Sequence, residues 1–200
     1  MIADVDSAAG GNLPSLIEAA VSGGVTVVQL RSKRQSTRAF CDLARDVIRI
    51  LKPRRIPLII NDRIDVALAC GADGVHLGQQ DLLLTDARRI LGPSGIIGIS
   101  VNTIEEARDA ENGGADYLGV GPLFPTSSKS RLRPILGLEG LRRIRKQVRL
   151  PLLAIGGIST DNAAAVRRAG ADGVAVISAL ISAPDIAGAA AELAVGPEKL

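Results

Sequence analysis

The chain repeats one short phrase, in which a glycine near a predicted helix end is followed by a run of apolar residues. It reads GGVTVVQL at 23–30, GADGVHLG at 71–78, GADYLGVG at 114–121 and GADGVAVI at 170–177. Each copy follows an Ala-rich stretch with helical character, and its glycine stands where a helix C-cap is expected. The repeat therefore predicts a helix followed by a strand, several times over.

Further apolar runs fill the gaps between the copies and bring the number of strand candidates to eight. They are IADV from residue 2, IPLII at 56–60, GIIGIS at 95–100 and LPLLAI at 150–155. Strands that alternate with helices indicate a parallel sheet, and apolar runs without polar alternation indicate strands covered on both faces. Eight such units in 200 residues predict an α/β fold, a single-domain (β/α)₈ TIM barrel.

Helical candidates alternate with these strands. They lie from residue 13 and at 37–52, 63–71, 85–92, 103–113, 138–148, 160–170 and 181–194. Thr85, Thr103 and Thr160 precede acidic residues and are expected at helix starts. An open doubly wound sheet is the alternative fold. The absence of G-x-G-x-x-G after the first strand, and the even spacing of the repeats to the end of the chain, argue against it.

The segments outside the repeats predict one domain over residues 1–200, with 195–200 as a frayed tail. The first residues resemble no signal peptide and no apolar run is long enough to span a membrane, so a cytoplasmic location is expected. Two cysteines, Cys41 and Cys70, lie in apolar helical stretches and are expected to be free core thiols. A homodimer is one assembly that the sequence leaves open.

Composition narrows the class of partner. The formal net charge of +3 suits small anionic substrates. Aromatic residues make up only 2% of the chain, so the stacking platforms of single-strand nucleic-acid binders are missing and no nucleic-acid partner is expected. Hydrophobic residues make up 46% of the chain. Because so few of them are aromatic, the core must be built from aliphatic side chains.

In a TIM barrel the catalytic groups come from the C-terminal ends of the strands. In this chain polar residues and glycines stand at those ends or in the loops that follow. They are Gln29, Arg31, Lys33, Asn61, Asp62, His76, Gln79, Asp81, Ser100, Lys129, Gly156, Gly157 and Ser178.

These residues form three chemical groups. Arg31, Lys33 and Lys129 are cations suited to phosphate oxygens. Asp62 and Asp81 follow neighbouring strands and could hold Mg²⁺ together with phosphate oxygens of a substrate. The third group is the glycine pair at 156–157 with Ser178, which stands at the usual phosphate site after strands 7 and 8. The combination suggests two anionic substrates, one of them a diphosphate.

Simpler interpretations remain for each residue taken alone. Asp62 could cap the helix that follows it, and Asp81 could be a cap or turn residue. His76, the only histidine, is more often a packed and hydrogen-bonded strand residue than a catalyst. Arg31 and Lys33 could be a solvated strand end, and the glycine pair a tight turn. In the basic stretch LRRIRKQVR the arginines are expected on the solvent face, because Leu141, Ile144 and Val148 share the opposite one.

Several segments together resemble the thiamine phosphate synthase family. They are QLRSK at 29–33, IINDRIDVALACGADGVHLGQQD at 59–81, GIS at 98–100, ADYLGVGPLFPTSSK at 115–129, AIGGIS at 154–159 and GADGVAVIS at 170–178. The resemblance implies a (β/α)₈ barrel that joins a hydroxymethylpyrimidine diphosphate to a thiazole phosphate. The products would be thiamine monophosphate and pyrophosphate, with Mg²⁺ as cofactor.

The resemblance also implies roles for individual residues. The pyrimidine diphosphate would be held by Gln29, Arg31, Lys33 and Asn61, and Ser100 would contact the pyrimidine or its diphosphate. Mg²⁺ would be bound by Asp62 and Asp81. The loop residues that close over the site would be Thr126, Ser128 and Lys129. The thiazole phosphate would be bound by Gly157, Ile177 and Ser178. The catalytic cations would be Arg31, Lys33 and Lys129.

The family's mechanism is dissociative, so it needs charge neutralisation on the leaving pyrophosphate and no protein nucleophile. Two departures stand out: the loop reads Thr126-Ser127-Ser128-Lys129 where the family has Thr-x-Thr-Lys, and strand 1 lacks an aromatic residue. The alternatives are a thiazole tautomerase, which shares the fold but needs no Mg²⁺-diphosphate half-site, and a non-catalytic regulator that binds thiamine phosphates.

Overall fold

A computed structural model describes residues 1–8, 12–126 and 133–194, and these form one barrel. Its parallel sheet has eight strands in the order β1 to β8, so each strand pairs with its neighbours in sequence. All eight strand candidates are confirmed. Their bounds are β1 Ile2–Asp4, β2 Val28–Arg31, β3 Leu58–Asn61, β4 Gly74–Leu77, β5 Ile96–Val101, β6 Tyr117–Val120, β7 Leu152–Ile155 and β8 Gly173–Ala175. The N–H of Ile2 donates to the carbonyl of Val176 (2.9 Å), so the two edges of the sheet meet.

Helices follow the strands around the outside. They are α1 Leu13–Ser22, α2 Thr37–Leu51, α3 Ile64–Cys70, α4 Leu84–Leu91, α5 Ile104–Asn112, α6 Gly137–Arg145, α7 Thr160–Arg168, α8 Ser178–Ile181 and α9 Ile186–Ala194. The single helix expected over 181–194 is wrong. Pro184 has no N–H and disfavours helix at the preceding residue, so the four-residue α8 ends at Ile181 and α9 begins only at Ile186.

All three threonines lie at or next to a helix start, but only one of them is the N-cap residue. Thr103 caps α5, since its side chain accepts from the N–H of Glu106 (3.1 Å). Thr85 lies inside α4, whose N-cap is Leu83. Ser159, one residue before Thr160, caps α7 through a reciprocal capping box with Asn162.

The core lies between the outer faces of the strands and the helices and is aliphatic, as the composition predicts. The one buried Phe is Phe40 of α2, among the described residues. Leu141, Ile144 and Val148 are all buried, so the arginines beside them in α6 are the solvent face, as expected. Cys41 is a buried free thiol, whereas Cys70 is half-buried and its pKa is raised by burial.

The recurring Gly-Ala-Asp phrase ties the barrel together at the N-terminal ends of its strands. The carboxylate of Asp73 accepts from the N–H of Leu58 (2.7 Å), while the N–H of Asp73 donates to the carbonyl of Leu58 (3.0 Å). Asp116 makes the same pair of bonds with Ile97, and Asp172 with Leu152. Each aspartate therefore fastens the start of its own strand to the start of the preceding one.

No helix in the part of the chain that the structure describes is long and apolar enough to cross a membrane.

The barrel interior, by contrast with the outer core, is partly polar. A small internal cavity of about 40 Å³ is lined by both apolar and polar side chains. The polar ones are Gln29, Arg31, Asn61, His76 and Tyr117.

Candidate active site

A cleft of about 770 Å³ opens at the C-terminal ends of the strands. Its lining contains most of the polar residues expected there, among them Arg31, Lys33, Asn61, Asp62, His76, Gln79, Asp81, Ser100 and Thr126. Arg133, which was not expected, also lines it, whereas Gln29 lines the internal cavity beneath. A second cavity of about 50 Å³ adjoins the cleft and shares Pro122, Thr126 and Ile155 with it. The expected residues therefore converge on one rim with two connected compartments.

The two aspartates of the expected metal site lie side by side in the cleft. Asp62 directly follows β3, and Asp81 lies in the turn after β4, where its carboxylate accepts from the N–H of Gly78 (2.7 Å). Burial raises the pKa of the Asp81 carboxyl, and the adjacent Asp62 carboxylate raises it further. Neither residue is a helix cap, because the N-cap of α3 is Arg63 and that of α4 is Leu83. The capping interpretation of Asp62 is therefore wrong.

The carboxylate pair fits a hard divalent cation. Two crowded carboxylates carry excess negative charge, and Mg²⁺ typically takes one or two carboxylates plus phosphate oxygens and water. No group of three or more potential His, Cys, Asp or Glu ligands occurs within residues 1–8, 12–126 and 133–194. Asp62 and Asp81 are the carboxylates of the cleft that could hold a divalent cation, with a substrate phosphate as a source of further oxygen ligands.

The cations of the cleft are paired with carboxylates. Lys33, which is about half exposed, forms an ion pair with Asp62, and Arg31 forms one with Asp4 at the end of β1. Asp4 is 1% exposed, so the Arg31 guanidinium is held against the barrel wall and is not a freely solvated strand end. The sequence interpretation missed Asp4, although its position at the end of a strand was the signal that identified the other residues.

A chain of hydrogen bonds runs from the cleft into the barrel. Nε2 of His76 lies 2.8 Å from the Ser100 hydroxyl, and Nδ1 lies 3.0 Å from the Tyr117 hydroxyl. Gln79 donates its side-chain amide to the Ser100 carbonyl (2.8 Å). His76 is 8% exposed, so it is the packed, hydrogen-bonded strand residue that the sequence favoured.

The second cavity is built from the ends of β7 and β8. Its lining includes Gly156, Gly157, Ile177 and Ser178. Gly156 and Gly157 have φ angles of +95° and +64°, and a Cβ on Gly157 would lie 2.6 Å from the Pro125 carbonyl oxygen. The pair is therefore a tight turn that glycine alone fits without strain, and it also forms the wall of a cavity.

The loop after β6 is fastened at both ends by one residue that sequence reasoning did not identify. The buried Asn102 donates its side-chain amide to the carbonyls of Gly121 (3.0 Å) and Pro134 (2.9 Å). Its own N–H donates to Glu106 (2.6 Å), which forms an ion pair with Arg133. Thr126 of this loop lines both cavities, while Ser128 and Lys129 lie outside the described residues.

Comparison with known proteins agrees with this geometry. A model of the family described as thiamine monophosphate synthase matches residues 1–180. The thiamine-phosphate synthase of Albidiferax ferrireducens is 52% identical over 185 residues, covering 92% of this chain and 84% of that protein. The corresponding protein of Moorella thermoacetica is 50% identical over 186 residues, covering 92% and 89%.

Solved structures agree as well. The thiamine phosphate pyrophosphorylase from Pyrococcus furiosus superposes with a TM-score of 0.87 at 40% identity, covering 96% of this chain and 91% of that one. A 3-hexulose-6-phosphate synthase, with a TM-score of 0.67 and 18% identity, shares the fold alone. From the family match and the extent of these identities, the chain belongs to the thiamine monophosphate synthase family.

Proposed function

We propose that this chain joins 4-amino-2-methyl-5-hydroxymethylpyrimidine diphosphate to 4-methyl-5-(2-hydroxyethyl)thiazole phosphate. The C–O bond between the pyrimidine methylene and the diphosphate breaks, and a C–N bond to the thiazole nitrogen forms. Pyrophosphate leaves with the electron pair of the broken bond, and thiamine monophosphate is the second product. The family membership and the arrangement of the rim support this assignment.

One observation carries the proposal: two adjoining compartments with different linings share Pro122, Thr126 and Ile155. The cleft holds the aspartate pair and three cations, Arg31, Lys33 and Arg133, whereas the adjoining cavity is walled by the glycine turn and the end of β8. Thr126 lines both compartments. A reaction between a diphosphate and a monophosphate requires two such sites with a shared boundary, because the reacting atoms must be held in contact.

The cleft is the proposed pyrimidine diphosphate half-site. Lys33, which stands beside Asp62, and Arg31, which stands beside Asp4, would both donate to the diphosphate. Gln29, Asn61 and Ser100 would hold the pyrimidine end. These groups stabilise the negative charge that develops on the leaving pyrophosphate, so no nucleophile of the protein is required.

A divalent cation bound by Asp62 and Asp81 would supply further charge neutralisation for the diphosphate when present. Holding such a cation would relieve the mutual repulsion of the two carboxylates, and the Lys33 ammonium beside Asp62 would be available to the diphosphate. Lys129 is proposed to act on the same leaving group from the loop after β6, as the family resemblance implies.

The smaller cavity is the proposed thiazole phosphate half-site. Gly157, Ile177 and Ser178 surround it, and the short helix α8 begins at Ser178. A phosphate site after strands 7 and 8, completed by the start of a short extra helix, recurs in TIM barrels. Asn162 supports the turn, since its side-chain amide donates to the Gly157 carbonyl (3.0 Å).

The proposal is tested by incubating the protein with both substrates and Mg²⁺ and measuring thiamine monophosphate and pyrophosphate by chromatography. We expect the two products in equal amounts, and neither when one substrate is omitted. A thiazole tautomerase would isomerise its thiazole substrate and form no coupled product. A regulator would bind thiamine phosphates without turnover, and either result would contradict the assignment.

A further inference from the structure

A row of polar side chains crosses the barrel interior beneath the cleft, with His76 and Gln29 buried and Ser100 and Tyr117 half-buried. It runs from Ser100 on β5 to His76 on β4, then to Tyr117 on β6 and Gln29 on β2. The His76 and Tyr117 rings are stacked, with centroids 5.5 Å apart and an interplanar angle of 30°. Two members, Gln29 and Ser100, belong to the proposed substrate site, whereas the two rings between them have no role in the proposed reaction.

The neighbouring strands leave space for these two rings. A Cβ on Gly98 would lie 2.0 Å from Cζ of Tyr117, and a Cβ on Gly119 would lie 2.8 Å from Cε1 of His76. Any larger residue at either position would collide with a ring. The rings are therefore confined by the barrel walls, which restricts the hydrogen bonds that His76 can form.

The direction of the hydrogen bonds follows from the number of protons available. Gln29 hydrogen-bonds to the Tyr117 oxygen in the sense that favours the phenolate, so its amide donates. Burial nevertheless raises the pKa of the Tyr117 phenol, so the phenol keeps its proton. Tyr117 can therefore donate that proton to Nδ1 of His76. Neutral imidazole carries one N–H, so Nε2 must then hold the proton and donate to the Ser100 oxygen.

We propose that Tyr117 and His76 are positioning residues that turn the hydroxyl proton of Ser100 away from His76 and toward the cleft. There it would be donated to an acceptor atom of the pyrimidine diphosphate, an inference that rests on the proposed function. Because the Ser100 oxygen already accepts from Nε2, its own O–H is directed to a different partner. Ser100 lines the cleft, where the substrate supplies that partner.

The direction of the hydrogen bonds from Tyr117 through His76 to Ser100 can be measured without substrate. The protein has one histidine, so ¹⁵N labelling of histidine gives the signals of a single imidazole. We expect the long-range ¹H–¹⁵N correlations of the neutral Nε2–H tautomer at pH 7. A neutral Nδ1–H tautomer or an imidazolium would overturn the proposal, and this result is independent of any variant and of any activity.

The effect on binding is tested by a double-mutant cycle. Tyr117→Phe keeps the ring and removes the donor, and Ser100→Ala removes the hydroxyl. We expect each to weaken pyrimidine diphosphate binding about tenfold in calorimetry with Mg²⁺ and without the thiazole substrate. The double variant should be no weaker than Ser100→Ala alone, since Tyr117 acts through Ser100.

Additive losses in the cycle would show that Tyr117 only supports the fold, and this result would overturn the proposal. Thiazole phosphate binding should stay unchanged in all variants. This measurement is the control that the barrel of each variant is folded. If the unmodified protein bound pyrimidine diphosphate but formed no coupled product, the proposed function would fail while the positioning role survived. If it bound no pyrimidine diphosphate, the binding role would fail together with the proposed function.

Discussion

Asp62 has a backbone conformation that is uncommon for a residue with a side chain. Its φ angle is +61°, and the N–H of Arg63 donates to the carbonyl of Asn61 (2.8 Å) across it, as in a γ-turn. The N–H of Asp62 is held by the His76 carbonyl (2.9 Å). This turn ends β3 and directs the carboxylate into the cleft. Such strain persists where the surroundings determine it, and it is common at functional sites.

Replacing either aspartate by asparagine tests the proposed metal site. Asn tolerates a positive φ better than most residues, so Asp62→Asn should fold normally. We expect Asp62→Asn and Asp81→Asn each to raise the Mg²⁺ concentration needed for half-maximal coupling, because each removes a charged ligand. Thiazole phosphate binding should change little. The control is Asp65→Asn, whose carboxylate pairs with Arg63 outside the cleft, and an equal effect there would contradict the assignment.

A charge placed in the smaller cavity tests the proposed thiazole phosphate half-site. We expect Ser178→Glu to weaken thiazole phosphate binding far more than pyrimidine diphosphate binding, since its carboxylate would repel a phosphate in a cavity of about 50 Å³. Ser182→Glu, at the exposed far end of α8, adds the same charge outside the cavity and should leave both affinities nearly unchanged. Equal losses for both ligands in calorimetry with Ser178→Glu would place the half-sites elsewhere.

Single residues could be predicted where strand position alone identifies them. Asp62, Asp81 and Ser100 could be read from their place at strand ends, and the structure brings them into one cleft. Tyr117 could not, because its contact with His76 depends on the register that places Gly98 opposite it across the β5–β6 pair. A sequence read strand by strand contains no information about side chains that meet across the barrel interior.

At the scale of elements, the Gly-Ala-Asp phrase has a testable structural role. Asp73→Ala should lower the free energy of unfolding by about 1–2 kcal/mol, because the N–H of Leu58 loses its charged acceptor. Asp73→Asn keeps an acceptor oxygen and should lose less. Urea denaturation of the three proteins measures the difference. Equal stability of the alanine and unmodified proteins would show that the aspartate does not fasten the strands.

The loop after β6 gives a second prediction at this scale. Asn102→Ala removes the two hydrogen bonds from the buried Asn102 amide to the carbonyls of Gly121 and Pro134 and should cost about 2 kcal/mol of stability. It should also lower kcat/KM, because the loop that carries Thr126 loses the bonds joining its ends. Glu106→Gln keeps an acceptor for the Asn102 N–H and should have a smaller effect. A folded Asn102→Ala protein with unchanged kcat/KM would show that these bonds do not position the loop.

The elements themselves were largely predictable. Eight strands and the helices between them follow from the recurring glycine and the apolar runs, since this local pattern is what parallel strands require. The ends of helices were less predictable. Thr160 and Ser159 are both plausible caps, and the choice depends on the reciprocal bonds of Ser159 with Asn162, which the composition of the turn does not reveal.

At the scale of the molecule, the barrel separates stability from chemistry. The aspartates of the repeated phrase fasten the N-terminal ends of the strands, while the acidic pair, the cations and the glycine turn lie at the opposite rim. The outer core is aliphatic, so the polar side chains inside the barrel are concentrated beneath the cleft. Such an arrangement allows the site to be strained and crowded with charge without weakening the core.

We propose that the C-terminal rim of the barrel performs a cation-assisted substitution between two phosphorylated substrates. The most direct test is one coupling reaction, followed in the presence of EDTA and then after excess Mg²⁺ is added to the same sample. We expect no thiamine monophosphate with EDTA and restored formation, with equimolar pyrophosphate, after Mg²⁺ is added. Full coupling in EDTA, or metal-independent isomerisation of the thiazole with no coupled product, would contradict it.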